Sequence, residues 1–330
     1  MMHRPGNRFP AHAAIAALAT AWGMAIGLVA AGSGAPAADA ATQAASPAAA
    51  QPAAQAADFV GDDTCAACHE SERDSLQTTL HAKSQNPRTP AATGRTCETC
   101  HGPGKAHVDS GDKADIRRFT AGMGRESAET CASCHNRGPH AMWSGSAHDS
   151  RNLSCTTCHS VHNPKSVNAQ LQQASEIETC ATCHQAQAMK ITRTQHMPVT
   201  EGKMTCTSCH NPHGSTNVKL LKVGNWMNES CVSCHVEKRG PFLWEHAAGR
   251  ESCITCHDPH GSSNDRMLVA RAPMLCQRCH IGTRHPSTIY DRRNVTPGAS
   301  PSNRIYGRAC VNCHSNIHGS NHPSGNAFLR

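Results

Sequence analysis

The residues of this sequence best suited to chemistry are its cysteines, and all 20 of them occur in the pattern Cys-x-x-Cys-His. The pattern occurs ten times, and we number these pentads 1 to 10 in chain order. Two thiols at this spacing can form thioethers with the vinyl groups on one edge of a porphyrin, and the adjoining imidazole can then bind the iron. Each pentad therefore predicts one covalently attached c-type haem with a proximal histidine ligand.

Ten c-type haems are accordingly the predicted cofactors. The predicted attachment residues are Cys65, Cys68, Cys97, Cys100, Cys131, Cys134, Cys155, Cys158, Cys180, Cys183, Cys206, Cys209, Cys231, Cys234, Cys253, Cys256, Cys276, Cys279, Cys310 and Cys313. The predicted proximal ligands are His69, His101, His135, His159, His184, His210, His235, His257, His280 and His314. Zinc sites, redox-active thiol pairs and structural disulfides also use paired cysteines, but none of them requires a histidine after every second cysteine.

A second set of histidines recurs at set distances from the pentads. After odd-numbered pentads a histidine usually follows 11–13 residues beyond the proximal one, and after even-numbered pentads one follows within 3–6 residues. Pentad 9 departs from this pattern, because only His285 follows it, five residues on. The predicted distal iron ligands are His81, His107, His148, His162, His196, His213, His246, His260, His285 and His318. The spacing leaves open which distal histidine serves which iron.

Two histidines of the region after the N-terminal segment belong to neither set. A lone histidine is more often a polar surface residue than a ligand, so we predict no ligand role for His140. His322 lies four residues after His318 and could replace it or bind a haem propionate. Methionine, the competing axial ligand, shows no register with the pentads. We therefore expect two imidazoles on every iron, which leaves no open position for a substrate and favours electron transfer.

The rest of the composition indicates that haem forms the core. Only 3% of the residues are aromatic, and 25 Gly and 19 Pro interrupt long helices. A chain so poor in large apolar side chains cannot offset its ordering entropy by burying its own surface. We predict a multihaem cytochrome c fold that is mostly irregular, with short α-helices such as Glu70–Leu80 and Ser175–His184 and little or no β structure. Five dihaem repeats would form an elongated chain of haems.

The N-terminus has the features of a secretory signal peptide. Arg4 and Arg8 precede an apolar run over residues 13–31, and small-residue cleavage motifs follow at 35–40. An uncleaved membrane anchor is the alternative. We predict a signal peptide at 1–40, a flexible Ala/Pro-rich linker at 41–58 and a decahaem cytochrome domain at 59–330. Within that domain the loop 286–308 is predicted to be a solvated linker, with a docking surface as the alternative.

The net charge of +7 does not indicate a nucleic-acid partner. Every haem carries two propionates, so ten haems outweigh the excess of basic residues and make the loaded protein acidic. We therefore expect no binding of nucleic acid, and we look for partners among other electron carriers.

The ten pentads, the signal peptide, the remaining chain length and the ending His318-Gly319-Ser320-Asn321-His322-Pro323 together resemble one family. It is the periplasmic decahaem cytochromes of outer-membrane porin–cytochrome conduits, of the MtrA and DmsE type. The resemblance implies a non-enzymatic electron carrier that is periplasmic and held at the outer membrane by a β-barrel porin. It also implies periplasmic electron-carrier cytochromes as partners, and outside the cell a multihaem cytochrome or a mineral or iron acceptor or donor.

That family's cytochromes place the first haem towards the periplasm and the last near the cell surface, so the resemblance implies the same for pentads 1 and 10. Such a wire serves extracellular metal reduction or iron oxidation. Two other functions stay open at the level of sequence. One is a soluble periplasmic electron shuttle, and the other is a multihaem reductase with one open haem, for which the irregular pentad 9 is the best place.

Overall fold

A computed structural model of the protein describes residues 56–120, 123–166, 168–193, 196, 199–280, 310–323 and 325–329. The predicted signal peptide, most of the predicted linker, His285 and the loop 286–308 lie outside the described residues. The α-helices are α1 (Asp62–Ala66), α2 (Glu70–Gln77), α3 (Thr96–His101), α4 (Lys105–Ser110), α5 (Gly124–Ala132), α6 (Cys155–Cys158), α7 (Glu176–Ala181), α8 (Gln185–Ile191), α9 (Cys206–Cys209), α10 (Met227–Val232), α11 (Ala247–Glu251) and α12 (Ala272–Gln277). None of them is long and apolar enough to cross a membrane.

Single helical turns and tight turns connect these helices. They lie at Ala56–Asp58, Leu80–Ala82, Pro90–Thr93, Lys113–Asp115, Gly138–His140, Asp149–Arg151, Asn168–Gln170, Val218–Leu220, Val236–Lys238, Cys253–Thr255, Asp265–Met267, Cys310–Asn312 and Gly325–Ala327. In the described part of the chain, β structure is limited to isolated bridges such as that between His210 and Leu221. The predicted fold class, mostly irregular with short helices and little β structure, is confirmed.

Two helices are shorter than the sequence pattern predicts. The segment predicted as Glu70–Leu80 is helical only to Gln77, and α7 covers Glu176–Ala181 of the predicted Ser175–His184. Ser175 caps α7, since its hydroxyl accepts from the Glu178 N–H while the Glu178 carboxylate accepts from the Ser175 N–H. This capping box explains the acidic residue that precedes pentad 5.

Few apolar side chains are buried by the protein itself. The buried hydrophobic residues of the described chain are Leu76, Ala128, Val199 and Leu221. Large apolar side chains remain on the surface, with Leu243 73% and Met189 61% exposed. Four buried side chains cannot offset the ordering entropy of a chain this long. The fold therefore requires the prosthetic groups that the pentads predict.

Odd and even pentads occupy opposite ends of their helices. The first cysteine of each odd pentad is the penultimate residue of α1, α5, α7, α10 or α12, whereas that of each even pentad is the first or second residue of a helix or helical turn. Asp62 in α1 accepts hydrogen bonds from the N–H groups of Thr96 and Cys97, both at 3.0 Å. Asn228 in α10 does the same for Cys253 at 2.8 Å. Side chains of the odd helix thus satisfy free N–H groups at the start of the even one.

The same association is repeated along the chain. The elements in contact are α1 with α3, α5 with α6, α7 with α9, α10 with Cys253–Thr255, and α12 with Cys310–Asn312. Each contact joins an odd pentad to the even pentad that follows it. The predicted repeat of two pentads is therefore a structural unit, and it occurs five times.

Candidate haem sites

The cysteines of neighbouring pentads lie next to one another in two alternating ways. First cysteines meet within a repeat, as when Cys131 hydrogen-bonds to Cys155, a contact that raises the pKa of Cys131 and lowers that of Cys155. Second cysteines approach one another between repeats, as Cys158 and Cys183 do. Burial, followed by the neighbouring thiol of Cys183, raises the pKa of Cys158. Equivalent contacts join all ten pentads in chain order.

These thiols do not form a zinc site or a disulfide framework. All 20 cysteines are free thiols. Within the described residues, no three or more His, Cys, Asp or Glu side chains converge as a group that could hold a metal ion. A structural zinc site needs four such ligands. The cysteines are therefore arranged for separate covalent attachments rather than for a shared ion.

Histidines of the described chain form nine pairs with a common separation. Each pair joins a proximal histidine to a predicted distal one, with ring centres 6.0–6.3 Å apart. The pairs are His69 with His107, His101 with His162, His135 with His81, His159 with His213, His184 with His148, His210 with His260, His235 with His196, His257 with His318 and His280 with His246. The angle between ring planes varies from 9° to 68°. Direct aromatic packing would not hold one distance over such a range of angles.

The common separation fits one metal ion between two imidazoles. Two metal–nitrogen bonds of about 2 Å each, plus the distance from each nitrogen to its own ring centre, give about 6 Å. Histidine rings in direct contact lie closer, as His140 and His213 do at 4.2 Å. The nine pairs therefore fit haem iron with one imidazole on each face. His285 lies outside the described residues, and its role as a ligand stays a prediction.

Burial favours the neutral imidazoles that metal binding requires. It is the main cause of the lowered pKa values of His81, His101, His260 and His318. The strongest shift is at His213, whose pKa is lowered to about 4 by burial and then by neighbouring histidines. Only the neutral imidazole has a lone pair free for iron, so these side chains need no deprotonation before they bind.

The pairing follows a rule that the spacing could not supply. The histidine after an odd pentad faces the proximal histidine two pentads later, as His81 faces His135. The histidine after an even pentad faces the proximal histidine two pentads earlier, as His213 faces His159. Pentad 2 has no pentad two places earlier, and His107 instead faces pentad 1. Each link therefore reaches across one intervening pentad, except at the N-terminal end.

Even-numbered proximal histidines bind a backbone carbonyl that the sequence reasoning missed. Their Nδ1 atoms donate over 2.6–2.9 Å, and the donor–acceptor pairs are His101 with Arg117, His159 with Ala169, His210 with Lys219, His257 with Arg266 and His314 with Ala327. A proton held on Nδ1 leaves Nε2 free for the iron. The carbonyls thus fix both the tautomer and the ring orientation.

Three of these carbonyls belong to left-handed residues in tight turns, Ala169, Lys219 and Arg266, with φ of 55–58°. Each turn brings a leucine back to bridge the proximal histidine, as Leu221 bridges His210. The leucine lies 11 or 12 residues after the histidine in all three loops. That recurrence is the sequence signal that could have found the turn.

Odd-numbered proximal histidines have a different environment. His69, His135, His184, His235 and His280 are exposed, and none of them bonds a backbone carbonyl of the described residues. Two of them lie near carboxylates instead, with Nδ1 of His69 3.9 Å from Glu72 and Nδ1 of His235 3.8 Å from Glu237.

A cavity beside pentads 3 and 4 also suits a haem. Its volume is about 270 Å³, and His135, His140 and Trp143 contribute to its wall. Nε1 of Trp143 is buried and has no hydrogen-bond acceptor in the protein. A buried N–H without an acceptor is costly, and a haem propionate is an acceptor of the right kind. His140 touches His213 in this cavity and does not belong to the nine pairs.

Comparison with known proteins gives one extensive match. Over 278 residues the chain is 40% identical to the "Multiheme cytochrome MtrA" of Shewanella baltica (strain OS185), covering 82% of this chain and 81% of that protein. The chain belongs to the MtrA family of multihaem cytochromes. The resemblance found in the sequence is thereby confirmed. Like other MtrA-type cytochromes, the protein is a haem-binding electron carrier rather than an enzyme.

Other comparisons cover parts of the chain. The family "Doubled CXXCH motif" matches residues 196–240 and 246–285, and "Cytochrome c-type protein NrfB-like" matches 97–183. The NrfB protein of Escherichia coli O6:H1 is 28% identical over 130 residues, covering 38% of this chain and 66% of that one. A solved undecahaem cytochrome from the S-layer of Carboxydothermus ferrireducens is 18% identical and covers 72% of this chain and 33% of that one, with a TM-score of 0.13. A likeness that low supports no comparison of folds.

Proposed function

We propose that this MtrA-family cytochrome is a ten-haem wire that carries electrons between the periplasm and the cell exterior through an outer-membrane β-barrel porin. The nine histidine pairs carry the proposal, because each offers two imidazoles to one iron and leaves no position for a substrate. When bound, haem iron supplies the one-electron chemistry. The protein's part is to attach, orient and space these groups.

Each set of residues has one role in this scheme. The 20 pentad cysteines attach ten haems, and the ten pentad histidines bind the irons on the proximal face. The nine predicted distal histidines of the described chain bind them on the distal face, and His285 completes the set. Contacts between cysteines of successive pentads place consecutive attachment points side by side, which is the arrangement that short electron-transfer steps require.

Two observations support a porin partner over a free shuttle. The chain is 40% identical to an MtrA cytochrome over 81% of that protein's length. Its apolar side chains are largely exposed, among them Leu243 and Met189, and a surrounding barrel would cover such a surface. We infer a periplasmic location at the outer membrane, with periplasmic cytochromes at one end and an extracellular cytochrome, mineral or iron compound at the other.

Liposomes test the conduit directly. The protein is purified from detergent-solubilised outer membranes of its host together with any barrel that co-elutes, and the complex is inserted into liposomes loaded with reduced methyl viologen. An external ferric compound should oxidise the dye within minutes, whereas liposomes with the barrel alone or the cytochrome alone should retain it. Elution of the cytochrome from the soluble periplasmic fraction without a barrel, together with no transfer across the liposome, would overturn the conduit in favour of the shuttle.

Haem content and ligation are tested separately. Mass spectrometry of the mature protein should show the polypeptide plus ten haems. Electron paramagnetic resonance of the oxidised protein should show low-spin iron throughout, since two imidazoles give a strong ligand field. A high-spin signal from the unaltered protein would contradict complete bis-histidine ligation and would favour a reductase with one open haem.

A further inference from the structure

The angle between the two rings of a histidine pair divides the interior pentads into two groups. At pentads 3, 5 and 7 the ring planes cross at 59–68°. At pentads 4, 6 and 8 the planes are nearly parallel, at 9–17°. Crossed and parallel pairs therefore alternate along this part of the chain. Pentads 1, 2 and 9, at 19–34°, lie nearer the parallel group.

Hydrogen bonds of the proximal imidazoles alternate in the same order. At pentads 4, 6 and 8 the Nδ1 atom donates to a backbone carbonyl over 2.6–2.9 Å. At pentads 3, 5 and 7 the proximal histidine is exposed and bonds no carbonyl of the described chain. These bonds belong to the hairpin that follows each even pentad, whereas the ring angle also depends on a distal histidine from another repeat. The two observations are thus independent.

The parallel group owes its geometry to one repeated loop. In the loop of pentad 6 the Asn211 carboxamide accepts from the N–H of His213 at 3.2 Å, and in that of pentad 8 Asp258 accepts from His260 at 3.1 Å. The same turn thus presents a distal histidine to pentads 4 and 6. Distal histidines of the crossed group come from longer segments, and His148 is oriented by the carbonyl of Pro212 at 2.7 Å.

We propose that these two kinds of ligand pair set two alternating classes of reduction potential, lower at pentads 4, 6 and 8 and higher at pentads 3, 5 and 7. The inference rests on the proposed ligation by both histidines. An Nδ1–H donated to a carbonyl makes the imidazole a stronger electron donor, which stabilises ferric iron. Parallel rings act on the same iron d orbital and stabilise the ferric state further, whereas crossed rings divide the interaction between two orbitals. Both effects therefore lower the potential at the same three pentads.

Paramagnetic resonance can distinguish the two classes, because crossed imidazoles give a highly anisotropic low-spin signal and parallel imidazoles give a rhombic one. The full-length, haem-loaded protein is poised at a series of potentials and its spectrum is recorded at each. The anisotropic signal should come from a minority of the haems and should disappear at higher potential than most of the rhombic signal. Loss of both signals together, or loss of the rhombic signal first, would overturn the proposal.

Two matched variants assign the signals to positions. His148→Ala removes the distal ligand of a crossed pair at pentad 5, and His260→Ala removes that of a parallel pair at pentad 6. Each should create one high-spin iron, but only His148→Ala should remove one haem's share of the anisotropic signal. New high-spin iron with the wrong low-spin signal lost would overturn the sorting alone. No high-spin iron in either variant would instead contradict the ligation on which the proposed function depends. If either variant failed to load haem, the titration of the unaltered protein would still decide.

Discussion

His148 donates a hydrogen bond from Nδ1 to the carbonyl oxygen of Pro212, 2.7 Å away. The residue after Pro212 is His213, which faces the proximal histidine of pentad 4. One loop therefore supplies a distal ligand to pentad 4 and orients that of pentad 5. Gly214 closes the loop against the backbone of Met142, where an added Cβ would lie 2.1 Å from the carbonyl oxygen.

Replacement Gly214→Ala should disturb two haem sites at once. The new methyl group cannot occupy its position, and φ of +125° is unfavourable for alanine, so the loop must move. We expect altered low-spin signals for the haems of pentads 4 and 5 by paramagnetic resonance. Gly249→Ala is the control, because its Cβ would meet nothing closer than 3.9 Å. An unchanged spectrum in Gly214→Ala would show that the loop does not orient these ligands.

Replacement His260→Met should raise the potential of one haem. His260 faces His210 at 6.2 Å, and a thioether is a weaker donor to ferric iron than an imidazole. Spectroelectrochemical titration should show one haem reduced at higher potential and the rest unchanged. Met274→Leu, at a side chain that is 61% exposed, serves as the control. A titration identical to that of the unaltered protein would reject His260 as a ligand.

Glu98 should be essential to the first repeat. Its carboxylate is 3% exposed and accepts from the N–H groups of Val60 at 2.9 Å, Gly61 at 3.1 Å and Gly104 at 2.8 Å. Glu98→Ala leaves these donors without an acceptor and should destabilise the region by roughly 1–3 kcal/mol. Hydrogen exchange of residues 60–104 should accelerate. Glu70→Ala, at a side chain that is 76% exposed, should leave exchange in that region unchanged, and equal rates in the two variants would contradict the role of Glu98.

Without haem the chain should not fold. The described residues bury only four hydrophobic side chains, too few to form a core. Protein produced in the cytoplasm, where haem is not attached, should show no cooperative thermal transition by circular dichroism, while the haem-loaded protein should show one. A cooperative transition in the apoprotein would mean that the polypeptide supplies its own core.

The sequence predicted much of the ligand set because covalent attachment fixes short spacings. The pentads are local, and a histidine a set distance from each of them is visible without a fold. Pairing was not predictable, because His81 and His135 meet only after an intervening repeat has folded. Nor could spacing reveal the carbonyls of Ala169 and Lys219, since these depend on left-handed turns at residues other than glycine.

Distal links that reach over a neighbouring pentad fasten the polypeptide to itself. Any single peptide bond between His81 and His280 lies inside at least one loop closed by a histidine pair, and many lie inside two. With iron between the rings, a protease that nicks one surface segment leaves both fragments coordinated to a common metal. The haem-loaded cytochrome is thus cross-linked by its own redox centres, and durability against cleavage comes with conductivity.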